Sequence, residues 1–157
     1  MTPAQRAALV ACALLSGGAG ACELVLSEHR NARELARLPL APALPSAQIA
    51  FTHSVLGTPV SDRYVWRSHG NAWRAHLVEE RFEGAGYGLP HAAGPGETLT
   101  REGDAWRLQL DRVVHPLVVL PLPSQQMRVV VGDGPALLLG TLSARSIQIQ
   151  AVNCPNH

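Results

Sequence analysis

"SDRYVWRSHGNAWRAHLVEERF", Ser61 to Phe82, holds two runs that alternate with a period of two on either side of a short joint. In the first run Asp62, Tyr64 and Trp66 share a face; in the second Trp73, Ala75, Leu77, Glu79 and Arg81 do. The joint, Ser68-His69-Gly70-Asn71, is rich in turn formers, so the stretch reads as an antiparallel hairpin. Each strand sends an acid, Asp62 or Glu79, out beside large apolar residues. A buried carboxylate is costly unless it is paired. The pattern therefore predicts a polar cluster near the strand ends, in which His53 and Arg81 satisfy Asp62 and Glu79.

The same period recurs along the chain. "AQIAFTHSV" places Ile49, Phe51, His53 and Val55 on one face and Ala50, Thr52 and Ser54 on the other, which carries His53 to the apolar side. "DAWRLQL" separates Trp106, Leu108 and Leu110 from Arg107 and Gln109, and "SIQIQA" separates Ile147 and Ile149 from Gln148 and Gln150. "MRVVV" and "ALLLG" flank "GDGP" and form a second hairpin signal. "LVVLPL" is apolar on both faces and reads as a central strand that Pro121 ends or bulges. Prolines from Pro39 to Pro135 leave little room for helices. The expectation is one all-β domain, an antiparallel β-sandwich or partly closed barrel, with no helix longer than about three turns.

The first residues read differently. "MTPAQRAALVACALLSGGAGA" has one positive charge at Arg6, an apolar run from Ala7 to Leu15, and a small-x-small ending at Ala19-Gly20-Ala21. The run falls short of the ~20 apolar residues that span a bilayer. It is read as a secretory signal peptide over 1–21, with the β-rich domain over 22–157 and a periplasmic location. Cys22 and Cys154 then stand near the two ends of the exported chain. They are expected to close a disulfide; the alternative is that Cys22 carries a lipid as the first mature residue and anchors the protein to a membrane. Every basic side chain except histidine is arginine, and after leader removal the arginines and the acids balance. No basic face for nucleic acid is implied. The seven histidines show no metal-ligand spacing, so neither a metal nor another cofactor is expected.

A second constellation is "GAGYGLPHAAGPGE", Gly84 to Glu97. Its glycines superficially resemble a phosphate loop, but Pro90 and Gly94-Pro95-Gly96 forbid the helix that such a loop needs. What remains is a long loop in which Gly84, Gly86 and Gly88 permit positive φ and Tyr87 offers a flat ring and a hydroxyl. The loop, as far as Pro90, is expected to close over His53, Ser54 and the acid cluster. It serves either as a plain connection or as part of a site for a small polar or anionic solute.

His53-Ser54-Val55, Thr58-Pro59-Val60, the acid at Asp62, Tyr64, "VEERF" and "GYGLP" together resemble the bacterial family catalogued as domain of unknown function 1850, over about Leu24 to Val131. Members usually carry Glu where this chain has Asp62, which keeps the charge and shortens the reach. The resemblance implies an exported or membrane-anchored protein encoded beside tripartite TRAP-type solute transporters of the TAXI kind. Its expected partners are transporter subunits or a small polar solute. Two other classes stay open: an envelope scaffold whose polar cluster is purely structural, and a hydrolase using His53 and Ser54. The hydrolase is disfavoured, because neighbouring strand residues point to opposite faces and no Gly-x-Ser-x-Gly elbow is present.

Overall fold

The computed structural model describes residues 20–156. The leader read at 1–21 thus lies outside the described residues except for Gly20 and Ala21. Eleven strands follow in order: β1 (Glu23–Glu28), β2 (Glu34–Pro39), β3 (Ser46–Thr52), β4 (Pro59–His69), β5 (Ala72–Glu83), β6 (Thr98–Glu102), β7 (Ala105–Val114), β8 (Val118–Val119), β9 (Arg128–Val130), β10 (Leu137–Leu138) and β11 (Ile147–Val152). Single 3-10 turns at Pro123–Gln125 and Leu139–Thr141 are the remaining regular elements among the described residues.

The strands form two antiparallel sheets, one ordered β2-β1-β11-β8 and the other β10-β9-β3-β4-β5-β7-β6. Neither closes on itself, so the architecture is the sandwich and not the barrel. Alternation supplies both inner faces. Leu24, Leu26, Ile147, Ile149 and Ala151 come from the small sheet, and Ile49, Tyr64, Trp66, Ala75, Leu77, Phe82, Leu108 and Val129 from the large one. The β4–β5 hairpin turns at Gly70, whose φ of 63° suits glycine. The β9–β10 hairpin also forms where "GDGP" marks it, with Val129 opposite Leu137.

The "LVVLPL" expectation fails. Only Val118 and Val119 pair, at the edge of the small sheet, and Leu120 is exposed. Pro116 and Pro121 bound the run, and neither can donate to a ladder.

Cys22 and Cys154 are bonded, with sulfurs 2.07 Å apart across 132 residues. Their strands are neighbours, Glu23 facing Val152. On the chain-entropy view, closing a loop of this length stabilises the fold by about 4 to 5 kcal/mol.

Candidate functional site

One extra residue decides which acids face inward. Across β4 and β5, Arg63 opposes Glu79 but Tyr64 opposes Leu77, so Val78 has no partner in β4 and forms a β-bulge. Before the bulge Trp73, Ala75 and Leu77 face the core. After it the parity of β5 is reversed, and Glu80 and Phe82 point inward. Glu79 and Arg81, expected beside the apolar residues, stand on the outer face. There Glu79 meets Arg63 at 3.8 Å and Arg81 at 3.1 Å, and Arg81 also reaches Glu102 at 3.2 Å. Strict alternation had left Phe82 on the polar face. That misplaced aromatic was the signal for a bulge, and with it for Glu80.

Asp62 keeps its predicted inward face and stands directly opposite Glu80. The two carboxyls are therefore cross-strand neighbours on the inner side of the large sheet. Burial is the main force on Asp62 and pushes its carboxyl up to about 7; the charge of Glu80 raises it further, and a hydrogen bond from Tyr64 acts in the opposite sense. Glu80 is also raised, chiefly by burial, with Arg112 lowering it and Glu97 raising it. The Tyr64 hydroxyl is raised by burial and by both acids. The Oδ1 atom of Asp62 is buried and has no hydrogen-bond partner among the described residues. Buried polar atoms are rarely left so.

His53 takes a different position from the one expected. β3 ends at Thr52, and His53 opens a turn closed by its own N–H to the Thr58 carbonyl at 2.8 Å and by the Gly57 N–H to its carbonyl at 2.9 Å. Its ring meets neither Asp62 nor Glu79. Nδ1 accepts the N–H groups of Val55 and Leu56, both at 3.2 Å, so the proton sits on Nε2, which donates to the Tyr87 carbonyl at 3.2 Å. Both nitrogens are thereby committed to backbone, and none remains to take a proton from Ser54. Val55 is exposed instead of sharing the inner face. The imidazole is a strut that ties the turn to the glycine loop.

That loop is built as its composition suggests. Gly84, Gly86, Tyr87 and Gly88 all have positive φ, and Tyr87 at 55° is the one residue of the four with a side chain to strain there. A Cβ on Gly84 would also press on Leu56 at 3.0 Å. Thr58 Oγ1 donates to the Glu83 carbonyl at 2.8 Å at the near end. At the far end Glu97 accepts the Gly94 N–H at 2.9 Å and the Arg112 guanidinium. The span between these anchors carries Tyr87, 70% exposed at its tip.

Together these elements enclose a cleft of about 220 Å³. Asp62 and Glu80 line it with Phe51, Val60 and Phe82; His53 and Ser54 form one side, Gln125 another, and Tyr87 to Pro90 the lip. Of the residues expected to form a cluster, His53, Ser54, Asp62, Tyr87, Gly88 and Pro90 come together here. Gly84 and Gly86 shape the loop without lining the cleft, and Glu79 and Arg81 are absent from it. Glu80, Leu89 and Gln125 enter unforeseen. Chemically, the cleft offers two neighbouring carboxyls, both raised by burial, and a buried oxygen without a partner, beside Phe51, Val60 and Phe82. Such a site receives hydrogen-bond donors.

The model of the family described as domain of unknown function (DUF1850) matches residues 47–136. That span contains every residue that lines the cleft and begins later than the Leu24 from which the resemblance was traced. No curated protein and no solved structure matches the chain.

Proposed function

The chain belongs to the domain of unknown function (DUF1850) family, and from that premise we propose that it is an exported accessory or small-solute-binding module serving a TRAP-type solute transporter of the TAXI kind. The transporter part of this reading rests on the family resemblance, and export rests on the character of the first 21 residues and the Cys22–Cys154 bond. One observation supports the binding part above the others: the buried Asp62 Oδ1 without a partner, opposite Glu80, in a cleft closed by an exposed tyrosine loop. Ordered folds seldom leave a carboxylate oxygen unsatisfied, and strongly perturbed acids in clefts cluster at functional sites. A small solute bearing hydroxyl or ammonium groups would satisfy that oxygen. An anionic solute would meet the negative charge that the pair retains, so the polar, donor-bearing class is preferred.

The test compares solute uptake by cells with the melting temperature of the purified domain. Tyr87→Ala is expected to lower uptake and leave the melting temperature unchanged, because its ring is outside the core. If uptake and melting temperature both stay at wild-type values, the loop is a connection and the scaffold reading replaces this one.

A further inference from the structure

A larger groove lies elsewhere. It has a volume of about 540 Å³, runs between β11 and the turn end of the β4–β5 hairpin, and shares no residue with the Asp62–Glu80 cleft. Its floor includes Trp66, Trp73 and Ala75, and its walls include the amides Gln148, Gln150 and Asn153. Among the described residues no Asp, Glu, Lys or Arg lines it.

One wall is an unfinished sheet edge. β1 pairs with β11 along its whole length, from Ile147 to Val152, whereas β8 pairs only with Ile147 and Gln148. The Ile149 N–H still reaches the Leu117 carbonyl at 2.9 Å, which shows that the odd-numbered residues of β11 direct their backbone groups away from β1. By that parity the Ile149 carbonyl and both backbone groups of Ala151 also point toward the β8 side, where no strand continues. They open into the groove, and Ala151 itself is 6% exposed. Backbone donors and acceptors in such a setting require partners. Another extended backbone supplies them in the right spacing.

We infer that this groove takes an extended, uncharged peptide segment of a partner protein, which adds to β11 as a short strand in line with β8. Its backbone pairs with Ile149 and Ala151, and one of its side chains lies over Trp73. The absence of charge in the lining favours a segment without Lys, Arg, Asp or Glu. Ile149–Val152 spans about 13 Å at 3.3 Å per residue, room for a strand of about four residues, so binding is weak unless other contacts add to it.

The experiment uses the disulfide-bonded domain and an acetylated, amidated pentapeptide of alternating threonine and valine, followed by amide NMR. At ten times the dissociation constant the peptide is expected to slow exchange of the Ala151 amide about tenfold and to shift the Trp73 indole resonance. Ala151→Pro removes the outward N–H and leaves the β1-directed groups of Gln150 and Val152 in place, and is expected to abolish binding. Three results would overturn the inference: no change at Ala151 with millimolar peptide, equal binding by Ala151→Pro, or the same shifts produced by a glucose oligomer of similar length and not by the peptide. The wild-type exchange measurement decides the matter even if the proline variant does not fold.

Discussion

Two acids that point inward in this molecule are treated in opposite ways. Glu28, 4% exposed at the end of β1, is surrounded by partners. Arg33 meets it at 2.6 Å, Asn31 at 2.8 Å and Ser143 at 2.9 Å, with Arg145 at 3.5 Å. Those hydrogen bonds, Arg33 first, hold its carboxyl down at about 2. Asp62 is partly buried against a second acid, keeps its buried Oδ1 unpaired among the described residues, and is pushed up to about 7. Glu28 is a fastener: it locks the β1–β2 turn to the segment that leads into β11. Asp62 has no such set of partners, and that difference supports the proposed binding role.

The comparison can be broken by exchanging the charges. Glu28→Gln is expected to give the largest fall in melting temperature of these variants, because it strips the charge that organises Arg33, Asn31 and Ser143 at once. Asp62→Asn is expected to act in the other direction at pH 8, stabilising the domain by about 1 to 3 kcal/mol, since an amide needs no ionisation in that setting. Denaturant unfolding at pH 8 and again at pH 4 measures it. At pH 4 the gain should vanish, because both folded and variant sites are then neutral.

The pH dependence sharpens the contrast. Glu28 is lowered on folding, so its contribution is present above about pH 4.5 and is lost as pH falls toward about 2. Asp62 is raised on folding: the folded state holds a proton that the unfolded chain releases near 3.8, so its part of the stability falls as pH rises from about 4 to about 7. Subtracting the Asp62→Asn curve from the wild-type curve isolates this second, inverse slope. The smallest effect is expected from His53→Ala, about 1 kcal/mol, with faster amide exchange confined to the 53–58 turn and the 84–90 loop it braces. Exchange that rises evenly across the large sheet would instead place His53 in the core.

The parts of the fold that were legible in the sequence are those where a period of two runs undisturbed. Trp106, Leu108 and Leu110, or Ile147 and Ile149, could face only one way, and "SHGN" and "GDGP" could be little other than turns. The neighbouring terminal strands brought Cys22 and Cys154 together as expected. The site was less legible because it sits where the period breaks. Val78 adds one residue and exchanges Glu79 for Glu80, and the His53 turn ends β3 three residues before the alternation of "AQIAFTHSV" would have it. Gln125 reaches the cleft through a tertiary approach that no local pattern encodes. "LVVLPL" misled because hydrophobicity alone does not separate a central strand from a two-residue edge strand held between prolines.

On the proposed reading, Asp62 is an acid held out of its ordinary state for a ligand's sake. The most direct test is the titration of its side-chain carboxyl, followed by carbon NMR in the wild-type domain and assigned by comparison with Asp62→Asn. A midpoint of about 7, with Glu28 titrating near 2 in the same spectra, is the predicted result. A midpoint near 3.8 would mean that Asp62 is solvated and paired like any surface aspartate, and would contradict the claim.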